Sequence, residues 1–331
     1  MLRNPVSLIA CSIVLAVSQA AQGQCSASRV AVTNPSDGGW LRIFDANTGS
    51  ELVAVQLGYP PAGIAEGRDG SLLVLRQNDG PIFRYDRETG ALLGTLMEEN
   101  AAGVIQGRDI EFMPTGDMLI AGGSANRIPR IDGLSGRFEG NFVGVGVGGL
   151  DRPFGFTYRG NGNLVVASYD SASVLEYDGT TGAFIRELVP PGLGGLATPY
   201  NLVYTSDDDA LVVDRDSGRV LRYDGSSGAY LGDFTDTLLP SARGIAFGPS
   251  GNLFVCSWQG PQGGGVYEFD GETGVLTRQL ASSPGAMFMV FYNFCRADLT
   301  GSSNPNDLSF GVPDCDADDF FYSLDLFAAG C

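Results

Sequence analysis

The chain has 331 residues, 48 of them glycine, and a formal charge of −18 from 20 Lys and Arg against 38 Asp and Glu. So acidic a surface repels phosphate backbones and excludes nucleic acid as a natural partner. There is no histidine, which excludes Ser-His-Asp and Cys-His mechanisms, histidine metal ligands and histidine general bases.

Residues 1–23 read as a secretory leader. Arg3 is the charged segment, Val6–Val17 an apolar run short for a membrane span, and Ala21-Gln22-Gly23 a small-x-small cleavage site. The mature chain then begins near Gln24 and carries no membrane span. Loss of Arg3, the leader's one charge, takes the formal charge from −18 to −19. Secretion to an extracellular or periplasmic compartment, or to the cell surface, is the expected location. Five cysteines remain there, Cys25, Cys256, Cys295, Cys315 and Cys331. Four can pair in an oxidising compartment and one is left over. Cys256 lies in the buried-strand pattern Leu253-Phe254-Val255-Cys256 and is the one expected to be unpaired.

From residue 29 to 293 the chain repeats. The element Phe44-Asp45-Ala46-Asn47-Thr48-Gly49 returns at Tyr85, Ile131, Tyr177, Tyr223 and Phe269, at spacings of 41, 46, 46, 46 and 46 residues. A fixed period of this size marks a propeller or a solenoid. Each unit holds four short strands bounded by turn residues, which is one propeller blade. The Asp and Gly of the element suit a hairpin between the third and fourth strands: Asp accepts from backbone two residues on, and Gly takes a positive φ.

First strands open at Ala62-Gly63-Ile64, Arg108-Asp109-Ile110, Phe154-Gly155-Phe156, Tyr200-Asn201-Leu202, Arg243-Gly244-Ile245 and Gly285-Ala286-Met287. Only five second strands follow first strands; the sixth is at the other end, Arg29–Val32. The spacing therefore predicts an all-β, six-bladed propeller over 24–294. Its last blade takes three strands from the N-terminus and one, Gly285–Phe291, from the C-terminus, leaving no open edge. A Cys25–Cys295 disulfide is expected across that seam, contributing about 4–5 kcal/mol in the chain-entropy model.

First-strand starts and second-strand ends share one face of a blade. Arg108, Asp109, Tyr200, Asn201 and Arg243, with Arg76, Ser168, Tyr169, Asp214, Arg215, Ser257 and Trp258, are thus expected to ring one mouth of the central channel. Charged and aromatic groups so placed make a ligand platform for a protein or a carbohydrate. Pairing of these charges with one another is the plainer alternative. The sequence points to no catalytic residue.

The pattern Pro61-x-Gly63-Ile64-Ala65, then Gly162-x-Leu164-Val165-Val166, then an apolar-x-Tyr-Asp ending, resembles NHL repeats and the SMP-30/gluconolactonase-like group of six-bladed propellers. That resemblance implies the fold, and for the lactonase-like members a divalent metal in the channel. Asp109, Asn201 and Asp214 offer oxygen ligands suited to calcium, whereas Gly63, Gly155, Gly244 and Ala286 stand at corresponding positions and offer none. The resemblance implies a calcium-dependent sugar lactonase as the alternative to a non-catalytic binding propeller.

Residues 295–331 differ in kind, with seven Asp, one Arg and three Cys. Asp314-Cys315-Asp316-Ala317-Asp318-Asp319 precedes Phe320–Phe327, whose apolar residues have helical spacing. An acidic loop before an amphipathic helix resembles half of a dockerin. The resemblance implies calcium at Asp298, Asp316 and Asp319 and a cohesin-like or surface anchor as partner. An acidic cap tied by Cys315–Cys331 accounts for the same residues.

Overall fold

A computed structural model describes residues 27–294. The blade body runs from Arg29 to Tyr292. The chain opens with β1 (Ala27–Asn34), β2 (Trp40–Asp45) and β3 (Glu51–Gln56). The first complete blade is β4 (Pro61–Glu66), β5 (Leu72–Arg76), β6 (Ile82–Tyr85) and β7 (Leu92–Met97). The second is β8 (Ile110–Phe112), β9 (Met118–Ile120), β10 (Ile128–Ile131) and β11 (Phe138–Val143). The third is β12 (Pro153–Tyr158), β13 (Leu164–Ser168), β14 (Ser173–Tyr177) and β15 (Phe184–Val189). The fourth is β16 (Pro199–Tyr204), β17 (Asp209–Asp214), β18 (Arg219–Asp224) and β19 (Tyr230–Asp233). The fifth is β20 (Ala242–Phe247), β21 (Leu253–Ser257), β22 (Gly265–Phe269) and β23 (Leu276–Ser282), and β24 (Phe288–Phe294) ends the series.

These strands form six four-stranded sheets, and within the five complete blades neighbouring strands run antiparallel. The sixth sheet has the order β24-β1-β2-β3. The split blade read from the repeats is therefore present: the C-terminal strand lies innermost beside three N-terminal ones. That strand begins at Phe288, three residues later than the aligned start at Gly285. Gly285 sits at a φ of +90°, outside extended geometry. Thr33 fixes the register, since its carbonyl accepts from Met287 N at 2.9 Å and its hydroxyl from Phe288 N at 3.3 Å.

The middle strands are apolar on both faces and buried, as in Leu72–Leu75, Leu164–Ala167 and Leu211–Val213. They are covered by blades on either side, so they read as continuous runs rather than alternating ones. Burying each such side chain contributes about 1.5–3 kcal/mol.

The repeated hairpins share one set of bonds. Asp178 Oδ1 accepts from Thr180 N, Thr181 N and Thr181 Oγ1 at 3.1, 2.7 and 2.7 Å, and the same pattern recurs at Asp45, Asp86, Asp132, Asp224 and Asp270. The hairpin glycine does more than turn. Gly182 has φ +72°, and a Cβ there would fall 1.9 Å from the Phe142 carbonyl oxygen, on the outer strand of the preceding blade. Gly49, Gly136, Gly228 and Gly274 make the same approach to a carbonyl. Gly90 meets the Val53 and Val55 side chains of the preceding blade instead, so every hairpin packs on its neighbour through a glycine of positive φ.

Cys256 is buried and unpaired, as its strand pattern indicates, and burial pushes its thiol pKa up. Cys25, Cys295, Cys315 and Cys331 lie outside the described residues, as do Asp298, Asp316 and Asp319.

Candidate functional site

At the end of the blades opposite the hairpins, all six sheets contribute to one cavity of about 400 Å³. It is lined by Pro35, Pro60, Gln77, Arg108, Arg152, Phe154, Tyr169, Tyr200, Arg215, Arg243 and Trp258. Each lining residue lies at the start of an inner strand, at the end of the strand beside it, or in the loop adjoining one of them. The sheet topology brings those positions together at one mouth.

Six residues expected at the mouth line it: Arg108, Tyr169, Tyr200, Arg215, Arg243 and Trp258. The others have different roles, the Ser168 and Ser257 hydroxyls bonding the Asp151 and Pro240 carbonyls. Arg76 is held away in a fork, bonded to both oxygens of Asp79 and to Glu99 Oε2 at 2.7 Å. Asp214 Oδ1 accepts from Ala197 N, Thr198 N and Thr198 Oγ1, and its second oxygen from Ser217 Oγ at 2.5 Å. That carboxylate closes a turn. Asp109 and Asn201 are buried on inner strands behind the lining. Among the described residues no group of three or more His, Cys, Asp or Glu is placed to hold a metal.

The channel wall explains the alternation of Gly63, Asp109, Gly155, Asn201 and Gly244. A Cβ on Gly63 would fall 2.9 Å from the Asp109 Cα, and one on Gly155 only 2.3 Å from Asn201 Oδ1. Inner strands meet most closely at the axis, and every second blade has glycine there to leave room for its neighbour, for backbone at Gly63 and Gly244 and for the Asn201 side chain at Gly155. Burial pushes the Asp109 carboxyl up to about 7, against bonds from the Ile110 and Phe156 backbone and from Asn201. Glu111, half-buried by area but walled by protein, is raised well above the usual carboxylate range, first by burial and then by the charge of Asp109.

Arg152 and Phe154 were not expected. Phe154 aligns with Arg108, Tyr200 and Arg243 at the strand openings, so the repeat register contained that signal. Arg152 precedes a proline in a loop and belongs to no strand pattern. Its φ of +57°, shared with Gln106 at +56° and Ser241 at +56° in equivalent loops, is seen only in three dimensions. Asn126 Oδ1 accepts from Arg152 N at 3.0 Å and holds this conformation.

The mouth is a stack of cations and rings. Arg108 lies 4.7 Å and Arg152 5.2 Å from the Phe154 ring centroid, and Arg243 lies 4.4 Å from that of Trp258. Phe154 also stacks on Tyr169 at 4.3 Å. Arg215 Nη1 donates to Tyr169 OH at 2.7 Å, and Arg243 Nη1 to Tyr200 OH at 3.3 Å. Each cation–π contact contributes about 0.5–2 kcal/mol, and together they fix the guanidinium planes.

The charges of this stack are poorly compensated. No carboxylate lines the cavity. Arg152 and Arg215 reach rim carboxylates only at 3.5 Å (Asp170) and 3.7 Å (Asp216). Arg108 is 7% exposed and bonds the Gly107 carbonyl; turning the Gln77 amide gives it that oxygen as a second neutral acceptor. Burial lowers its pKa; the Tyr200 hydroxyl opposes this, and the charges of Arg152, Arg243 and Arg215 add to it. The Nε atoms of Arg108, Arg152, Arg215 and Arg243 are buried and have no hydrogen-bond partner among the described residues.

No family model matches the chain, and no curated protein matches it in sequence. Solved structures do match. A Bacteroides caccae protein of unknown function aligns with a TM-score of 0.62 at 16% identity, covering 80% of this chain and 99% of that one. A chain of a nidogen/laminin complex aligns with a TM-score of 0.64 at 12% identity, covering 80% and 98%. At these identities the likeness concerns the fold, and it agrees with the six-sheet topology.

Proposed function

We propose that this is a secreted, non-catalytic propeller that binds a ligand or protein partner at the arginine-aromatic mouth and is attached to a surface or extracellular assembly through its tail. One observation carries the reading: all six blades converge on a cavity that offers hydrogen-bond donors and flat rings but no nucleophile beside a general base. The nidogen/laminin structure is by its title a protein complex, and its fold-level likeness is compatible with a protein partner here.

Calcium, if bound, belongs in this reading to the tail carboxylates Asp298, Asp316 and Asp319. The runner-up is a calcium-dependent lactonase of the gluconolactonase-like type. The raised pKa of Asp109, with Asn201 beside it, is the one observation that favours it. A carboxylate pushed up by burial is stabilised by a cation.

Binding to an array of defined glycans and secreted proteins, alongside calcium-dependent hydrolysis of sugar lactones, separates the two. The expected result is no turnover and binding that is lost in Trp258→Ala. Calcium-dependent turnover abolished by Asp109→Asn would overturn the binding reading.

A further inference from the structure

Many arginines elsewhere in the blades are matched to carboxylates, while among the described residues Arg127 bonds only the Ala102 and Gly103 carbonyls. Arg42 pairs with Glu51, Arg186 with Glu176, Arg222 with Asp209 and Arg278 with Glu268, all at 2.5–2.6 Å. The four arginines of the mouth gather in one place, and among the described residues their carboxylate contacts are limited to the rim, Asp170 at 3.5 Å and Asp216 at 3.7 Å. In a chain of net charge −18, carboxylates are abundant, yet none lines the cavity.

We propose that the mouth binds a small anion carrying two or more negative charges, such as a phosphate or sulfate ester or a clustered carboxylate, held by Arg108, Arg152, Arg215 and Arg243. The proposal rests on the reading of the mouth as the binding site and adds the charge and size of the ligand.

Three observations carry it. The first is the gathering at one cavity of four buried Nε donors without an acceptor; Arg42 and Arg127, outside it, share that state only singly. A buried donor left unpaired is costly, more so on a charged group, and an oxyanion supplies the missing acceptors. Guanidinium groups offer planar pairs of donors that match such oxygens.

The second is preorganisation. Phe154, Tyr169, Tyr200 and Trp258 hold the guanidinium planes by stacking and by hydroxyl bonds before any ligand arrives. The left-handed backbone of Arg152 is fixed by Asn126, so little ordering remains to be done on binding. Arginine already lies against the Phe154 and Trp258 rings, which turns the ligand's contacts toward charge rather than stacking.

The third is scale. A cavity of about 400 Å³ admits a small molecule or one terminal group. A long polyanion would run out over a surface carrying the excess negative charge and be repelled there. A compact anion is enclosed within the cationic mouth, where screening by salt is weaker than on the open surface.

Isothermal titration calorimetry on the full chain tests this with pyrophosphate, citrate and inorganic phosphate as probes. Sodium chloride at matched ionic strength, a neutral disaccharide and heparin serve as comparators. Pyrophosphate or citrate is expected to bind at one site. Arg243→Gln and Arg215→Gln, both at half-buried positions, should each weaken that binding about tenfold or more, the worth of one charge-assisted bond. Arg84→Gln, whose partner Asp69 is outside the mouth, should leave it unchanged.

No heat from any multivalent anion up to about 10 mM, equivalent to less than about 3 kcal/mol of binding, would overturn the proposal. So would equal affinity in both mouth variants, or tighter binding of heparin than of pyrophosphate. If neutral glycans bind and Trp258→Ala abolishes it while anions do not bind, the anion assignment falls and the binding reading stands. If anions bind but a Trp258→Ala protein keeps every array partner, the reverse holds.

Discussion

The hairpin end of the blades and the mouth end are made of the same strands and treat charge in opposite ways. At the hairpins each aspartate is saturated: its oxygen takes two backbone amides and a hydroxyl, and its pKa is lowered in every repeat. At the mouth the arginines are stacked and oriented but lack acceptors at Nε. The first arrangement is complete within the chain; the second is complete only with a ligand. A charged residue repeated in every blade therefore belongs to the scaffold, while charges confined to some blades mark where the molecule meets something else.

The largest effect that would break this comparison is at a hairpin glycine. Gly182→Ala places a methyl against the Phe142 carbonyl at a positive φ and should destabilise by about 3 kcal/mol or more in urea unfolding. A change under about 0.5 kcal/mol would show that the hairpins do not seal the blades.

Next is the pH profile. Asp109 has a folded pKa of about 7 against an ordinary 3.8. The folded state therefore holds its proton where the unfolded chain has released it, and stability falls as pH rises from about 4 to 7. Asp109→Asn removes that linkage. Its stability relative to the parent should be about 2–3 kcal/mol more favourable at pH 8 than at pH 5 by thermal unfolding. The hairpin aspartates act in the other direction: their pKa values are lowered, so their contribution is present above 3.8 and is lost as pH falls below it. Stability should peak near pH 4; a flat profile from pH 4 to 8 would contradict the Asp109 assignment, and no further loss below pH 3.8 would contradict that of the hairpins.

Smaller effects sharpen the contrast between paired and unpaired arginines. Arg76→Gln breaks the bonds to Asp79 and Glu99 and should cost about 1 kcal/mol with binding at the mouth unchanged. Arg243→Gln loses stacking on Trp258 but also relieves repulsion, so its stability should shift by less than about 1 kcal/mol while mouth binding weakens about tenfold or more. Loss of binding in Arg76→Gln alone would reverse the roles.

The blade count, the split closure and the channel face were legible in the sequence because they follow from a period and from strand order. Six mouth residues were legible for the same reason. Arg76 and Asp214 stood in equally suggestive positions, but their partners Asp79, Glu99, Thr198 and Ser217 lie in loops that no periodicity aligns. Arg152 was missed because a loop residue in left-handed geometry has no strand register to betray it. The unmatched state of Arg108, Arg215 and Arg243 was not legible at all, since pairing is decided by which loops meet, not by composition. The glycines at Gly63 and Gly155, which in sequence only lacked ligands, prove to be spacers for Asp109 and Asn201.

A crystal structure of the full chain grown with pyrophosphate tests the central claim most directly. The account predicts one pyrophosphate inside the mouth, with oxygens within hydrogen-bond distance of Nε of at least two among Arg108, Arg152, Arg215 and Arg243. A mouth holding no anion, with pyrophosphate bound only at the outer strands or the hairpin face, would contradict it.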